Sequence, residues 1–170
     1  REALADSIFA EVEKNYNNLK ALATSQAVKP RLMCEMKSGS AWYVSGGRST
    51  TGKLYADAGA DYVFASYPNP GGVPLSFETV FDKAQDADVW LMKYNHPTDK
   101  TYQSLQEDYA PYANFKAFKD KNIYYCNTAY RPYYEDFPFH PDRVLKDLIK
   151  IFHPSLLPEY ELKYFSKLAE

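Results

Sequence analysis

Apolar residues recur along this chain with two different periods, and the switching between them lays out an architecture. Over residues 1 to 24, Leu4, Ile8, Val12, Tyr16, Leu19 and Leu22 fall at three- and four-residue steps, one face of an amphipathic helix. "SQAVKPRL" breaks that spacing, and "RLMCEM" behind Pro30 reads as a first strand. Residues 50 to 58 return to helical spacing, with Leu54, Tyr55 and Ala58 inward and Gly59 as the C-terminal cap. "DYVFAS" is a second short strand, and "YPNPGGVP" a loop by its Pro and Gly content. Ser76, with Glu78 and Thr79 behind it, opens a helix that runs to about Gln85. "ADVWLMKY" is a continuous apolar run, as expected of a strand covered on both faces. "TYQSLQEDYAPYANFKAF" is helical in two pieces interrupted at Pro111, and "NIYYCN" is a fourth strand. After the loop "TAYRPYYEDFPFHP", residues 142 to 152 form a helix entered through Pro141, and "PEYELKYFSKL" is expected to form a last one.

Strands thus alternate with helices four times. Parallel strands need crossover connections, so the pattern predicts an α/β fold: one Rossmann-like lobe, a four-stranded parallel sheet in the order 2-1-3-4, and helices on both faces. Ligands of such sheets bind beyond the carboxyl ends of the strands. That rule singles out four loops, residues 37 to 49, 66 to 76, 93 to 100 and 127 to 140.

Composition narrows the partners. The 170 residues suit a single domain, and the net charge of -2 lacks the basic footprint of a nucleic-acid binder. The 16 Tyr, 10 Phe and 2 Trp favour partly wet recognition surfaces, because tyrosine joins an apolar ring to a polar tip. The sequence opens inside a helical pattern without Met, which reads as a piece of a longer protein. Cys34 and Cys126 have no CxxC or Cys/His spacing around them and are expected to be buried free thiols.

The candidate chemistry lies in the four loops. Gly46-Gly47 ahead of a helix raises the question of phosphate, but both G-x-G-x-x-G and the Gly-Lys-Ser/Thr of a P-loop are missing. The glycines then serve either a tight turn or a ligand-facing loop, in which Trp42, Tyr43 and Arg48 are candidate contacts, Trp42 being alternatively a core residue. Tyr67 stands in the second loop, and Lys93, Asn95 and His96 at the end of the most apolar strand, with no partner acid or nucleophile readable beside them. "YRPYYEDF" gathers Arg131, Tyr133 and Tyr134, a combination suited to a flat or anionic organic ligand through stacking and bidentate hydrogen bonds. No G-x-S-x-G elbow, nucleophile–base pair or HxH spacing occurs. Glu78, in the first turn of its helix, offsets the helix dipole.

Three stretches, "WYVSGGRSTTGKLYADAGADYVF", "PLSFETVFDKAQDADVWL" and "HPDRVLKDLIKIFHPSLLPEYELKYFSKL", resemble the C-terminal lobe of class III ABC-transporter substrate-binding proteins. These are the ferric-siderophore and cobalamin binders of the bacterial periplasm, and the likeness is greatest to Bacteroidetes lipoproteins of the iron-compound-binding type. It spans nearly the whole chain and departs at His140, where the pattern has Arg in "RPDxVLKDLIKIFHP". The resemblance implies two α/β lobes joined by a long rigid helix, with residues 1–25 as the end of that helix, 26–170 as the C-terminal lobe, and the N-terminal lobe outside this sequence. It also implies a non-catalytic protein without a cofactor, periplasmic and lipid-anchored, that binds an iron chelate or corrinoid and docks on the permease dimer of the inner membrane. Glu78 falls where such lobes carry the glutamate that docks on permease arginines. Arg48, Lys93 and Arg131 would face ligand oxygens, Trp42, Tyr67, Tyr133 and Tyr134 would stack on a catechol or macrocycle, and Tyr43 and Asn95 are further candidate ligand contacts. The rival readings are an α/β enzyme domain of the nitrogenase-reductase-like or nucleotide-sugar type, which needs a cofactor signature in the first or third loop, and a lobe retooled for heme or a free metal ion.

Overall fold

The computed structural model describes residues 1–170. In chain order the elements are α1 (Glu2–Thr24), β1 (Arg31–Cys34), β2 (Lys37–Ser38), β3 (Ala41–Ser45), α2 (Thr50–Asp57), β4 (Asp61–Tyr62), β5 (Gly72–Leu75), α3 (Phe77–Ala84), β6 (Val89–Tyr94), α4 (Tyr102–Asp108), α5 (Lys116–Lys119), β7 (Ile123–Asn127), α6 (Tyr133–Asp136), α7 (Pro141–Phe152) and β8 (Ser166–Lys167). Two 3-10 turns, Ala110–Asn114 and Pro154–Leu156, complete the list.

The central sheet runs β4-β1-β6-β7-β8. Its first four strands are parallel and are the four expected, in the order expected. β8 adds a fifth, antiparallel strand through Tyr124↔Lys167 and Tyr125↔Ser166. That pairing corrects the expected last helix. Pro154 follows the end of α7, and the chain beyond it is claimed by Asp147, a fully buried carboxylate. Asp147 accepts hydrogen bonds from the backbone N–H groups of Lys163 (2.9 Å), Tyr164 (2.7 Å) and Phe165 (3.0 Å) and from the Tyr160 hydroxyl (2.6 Å). A buried carboxylate must be satisfied, and here that need holds residues 160–165 against α7 outside any helix.

The first predicted loop is also more ordered than expected. β2, β3 and β5 form a separate antiparallel sheet in which Trp42 pairs with Leu75 and Val44 with Val73. Successive side chains alternate across a strand, so Trp42 and Val44 are buried while Tyr43 is exposed.

The same alternation separates the two faces of β6. Trp90 meets Tyr112 and Phe115 at 5.5 and 5.2 Å between ring centroids. Lys93, three residues on, turns to the face where Tyr133 stands. α7 packs against α1 and α2 in one layer, and α4, residues 110–114 and α5 pack together in the other. The predicted caps form as expected: Ser76 accepts from Thr79 N–H, and Gly59 at φ +80° ends the turn after α2; Ser49, accepting from Gly52 N–H, adds a cap that was not predicted. Cys34 and Cys126 are buried free thiols, and burial pushes both up to about 12.

α1 buries less of its predicted face than its periodicity suggests. Tyr16 and Leu19 pack on the core, with the Tyr16 hydroxyl donating to Asp57 at 2.6 Å, but Leu4 is 67% exposed and Ile8 and Phe9 are also exposed.

The glycine pair serves close backbone approach. A Cβ at Gly47 would stand 2.0 Å from the Ala65 carbonyl oxygen, and one at Gly46 2.2 Å from that of Asn69. Gly47 N–H donates to the Tyr67 carbonyl at 2.8 Å, so the two loops are locked together. Gly47→Ala is expected to cost about 2–3 kcal/mol, as strain forced into a packed site. Urea unfolding measures it, and a loss below about 0.5 kcal/mol would show that the loops yield freely.

Candidate ligand-binding face

At the carboxyl ends of β1 and β6 stand a carboxylate, just past β1, and an ammonium, in the last residues of β6. Glu35 follows β1 directly in the left-handed region, at φ +66°, a conformation uncommon outside glycine. Its backbone is fixed on both sides: its N–H donates to the Leu91 carbonyl at 2.8 Å, and its carbonyl accepts from the Trp90 indole N–H at 2.8 Å. The side chain thereby comes beside Lys93, with 3.8 Å between Oε1 and Nζ. That is an ion contact but too long for a hydrogen bond. The Lys93 ammonium also lies 5.1 Å from the centre of the Tyr133 ring, a cation–π distance. The two charged side chains are 11% and 23% exposed for Lys93 and Glu35. Burial, the largest influence on Glu35, pushes its carboxyl up from the usual range against the pull of Lys93. On Lys93 burial acts in the opposite sense and is outweighed by the oxygens of Tyr55, Tyr133 and Glu35, so the ammonium is retained.

A second network fixes the neighbouring loop. Asn127, fully buried at the end of β7, donates to the His96 carbonyl at 2.8 Å and to Asp99 at 3.1 Å, and accepts from the N–H groups of His96 and Ala129. Asp99 also accepts from the Tyr125 hydroxyl at 2.7 Å and from that of Tyr130. Partial burial opposes its charge, but these donors together hold its carboxyl below the ordinary range. The loops after β6 and β7 are therefore held to each other by side chains.

The predicted site residues divide against this geometry. Lys93, Tyr133 and Tyr134 come together, Tyr134 meeting Tyr133 edge-on at 5.3 Å and standing 60% exposed. Tyr133 is itself only 3% exposed, so it supports Lys93 from beneath and has no face left for stacking on a ligand. Arg131 donates to the Lys163 carbonyl at 3.0 Å and lies over Tyr130. Tyr43, Arg48 and Asn95 are exposed on separate segments. Tyr67 is half-buried, against Phe64 and beneath Lys83. Trp42 is corrected outright: it has no exposed surface, its indole N–H donates to the Cys34 carbonyl at 2.9 Å, and it packs on Trp90 at 5.8 Å. Glu35 was not foreseen. Its acidic side chain at a strand end was the signal, but the partner, Lys93, comes from β6, which is distant in sequence. Glu78 is exposed in the first turn of α3, where Ser76 rather than Glu78 makes the cap.

An α/β lobe with a charged, aromatic-backed pair at the carboxyl edge of its sheet is a ligand-binding domain in its architecture. The chain belongs to the periplasmic binding protein family, whose model matches residues 1–130. Two uncharacterized lipoproteins of Methanocaldococcus jannaschii are similar to it, one 28% identical over 98% of this chain and the other 29% identical over 74%. The chain spans 39% and 31% of their lengths. Among solved structures, Helicobacter pylori CeuE with Ni(II) bound matches 92% of this chain and 48% of its own at a TM-score of 0.69 and 14% identity. The TroA-like periplasmic binding protein FepB of Veillonella parvula matches 94% and 56% at 0.67 and 16%. Staphylococcus aureus IsdE complexed with heme matches 90% and 58% at 0.64 and 16%. At such identities the structures speak to the fold, which is that of a TroA-like binding-protein lobe. No helix here is long and apolar enough to cross a membrane.

Proposed function

We propose that this chain is the C-terminal lobe of the solute-binding component of an ABC importer, capturing an anionic iron chelate or a corrinoid. In this reading residues 1–25 are the end of an inter-lobe helix and 26–170 the lobe. The ligand lies between this lobe and an N-terminal one, and the protein works in the periplasm on a lipid anchor, delivering to a permease dimer of the inner membrane. The lipoprotein names of the relatives and the binding-protein family support that setting.

The observation that carries the ligand class is Lys93. Its ammonium stands at the carboxyl edge of the sheet with a single ion contact, longer than a hydrogen bond. Three donors on a held cation suit carboxylate, hydroxamate or catecholate oxygens of a preformed chelate. Tyr134 supplies an exposed ring beside it, and Tyr43, Arg48, Asn95, Tyr67 and Arg131 are the further contacts a large ligand reaches. Calorimetric titration of the full-length protein with ferric citrate, a ferric triscatecholate, cyanocobalamin and heme tests the reading. Tight binding of an iron chelate or the corrinoid supports it. Binding of heme alone would favour the heme lobe, for which the likeness to IsdE speaks, and binding of NAD or ATP in place of all four would sink both.

Glu78 is assigned to transporter docking. A charged contact at the rim steers and orients more than it binds. Glu78→Ala should leave ligand affinity unchanged and lower uptake by roughly tenfold, the weight of one well-placed charge contact. Lost ligand affinity with normal uptake would place the residue in the binding cleft instead.

A further inference from the structure

We propose that Glu35 and Lys93 form a proton-linked anion subsite, in which Glu35 holds the ammonium while the face is empty and takes up a proton when an anionic ligand claims it. The inference rests on the ligand reading above and adds the charge rule by which the site selects.

The geometry gives the reason. Glu35 is placed by its backbone, not by its side chain: the two hydrogen bonds to Leu91 and from Trp90 hold it at φ +66° whatever its charge. Its carboxylate has Lys93 as its charge partner, at 3.8 Å and without a hydrogen bond. A ligand anion bound to the same ammonium stands within a few ångströms of Glu35. Two anions sharing one partly buried cation repel, and the one that can accept a proton does so. Protonation removes the repulsion, and the ammonium is left to the ligand.

The groups facing the pair come from every element around it. They are Tyr55 of α2, Cys34 of β1, Tyr62 of β4, Cys126 of β7, and Tyr133 and Tyr134 of α6. Phenols and thiols ordinarily lose protons well above neutrality, and burial moves Tyr55, Tyr62, Tyr133, Cys34 and Cys126 higher still. Asp147, beyond Cys126, is engaged by its four donors. Glu35 is thus the group of this set whose charge a bound anion can remove, and burial already favours its protonated form.

The sign follows. Binding takes up a proton, so affinity falls as pH rises between the titration of Glu35 in the empty protein and its higher titration in the complex, by about tenfold per pH unit at most. The site prefers a ligand whose anion arrives with a proton or into mildly acidic surroundings.

Two measurements test this. Carbon-13 NMR of the Glu35 carboxyl in this chain should show titration above the ordinary glutamate range, and higher again in Lys93→Met. Titration in the ordinary range in both overturns the proposal without any ligand. Calorimetry of the full-length protein with ferric citrate and a ferric triscatecholate, in buffers of different ionisation enthalpy, should show proton uptake. Glu35→Gln should abolish that uptake, flatten the pH profile and bind more tightly than wild type above the titration of Glu35 in the empty protein, by up to about tenfold per pH unit. Chelate binding without proton exchange overturns the subsite and leaves the proposed function standing. Failure to bind either chelate overturns both.

Discussion

Trp42→Ala should lower the unfolding free energy by about 3–5 kcal/mol, the range for removing a large aromatic side chain from a packed core. Trp42 is wholly buried and meets Trp90 at 5.8 Å, Tyr112 at 5.7 Å, Phe115 at 5.7 Å and Phe77 at 6.4 Å between ring centroids. These rings come from β6, the 110–114 turn, the start of α5 and α3, so the indole joins the small sheet to the central one. Truncation leaves a cavity bounded by rigid rings, which collapse poorly around it. It also strands the Cys34 carbonyl that accepts the indole N–H at 2.9 Å. Trp42→Phe keeps much of the volume and loses that bond, and should cost about 1–2 kcal/mol. Urea titration of the chain measures both. A loss under about 1.5 kcal/mol for Trp42→Ala would show that the two sheets are stable without their shared ring.

Asp147→Ala is expected to cost about 3 kcal/mol or more, because it leaves buried N–H donors unpaired at about 1–3 kcal/mol each. The loss should be local before it is global. Residues 158–168 are tied to the lobe through Asp147 and the two-residue strand β8, so they can peel away while the parallel sheet remains. Limited proteolysis should cut the variant within this segment at protease levels that leave the wild type whole. Arg131 anchors on the Lys163 carbonyl at 3.0 Å, so the same substitution should also loosen the loop after β7 and weaken ligand binding. Uniform protection of residues 158–168 in the variant would show that β8, the contacts to Arg131, Asp136 and Lys150 and the buried Tyr164, Phe165 and Leu168 hold them without Asp147.

What could be read from the sequence and what could not divides along one physical line. The parallel sheet, its order and the caps at Ser76 and Gly59 follow from local signals: a period, a hydroxyl ahead of a helix, a glycine behind one. The second sheet escaped because its pairing is distant. β3 and β5 are separated by a helix and a loop, and β5 is written as "GVPL", which carries turn residues. The last segment was misread for a related reason. "PEYELKYFSKL" has helical spacing, but the Asp147 carboxylate on α7 takes the N–H groups of Lys163, Tyr164 and Phe165. Position in a loop also says nothing of depth. Trp42, read as either a cleft or a core residue, and Tyr133, read as a ligand contact, are both in the core, whereas Tyr43 and Tyr134, their immediate neighbours, are exposed. Lys93 was legible as a strand-end cation. Its partner Glu35 was not, since only the pairing of β1 with β6 brings them side by side.

The lengths of the strands bear on how this lobe behaves among its own copies. The central sheet ends on one side in β4 and on the other in β8, each two residues long, while the small sheet ends in the two-residue β2 and in β5, which carries Pro74. A free edge invites another chain to add a strand, and proteins blunt that invitation with short edges and proline. All four borders here are blunted in one of those ways. Copies of this lobe brought to high local density are thereby denied the backbone template through which crowding turns into aggregation.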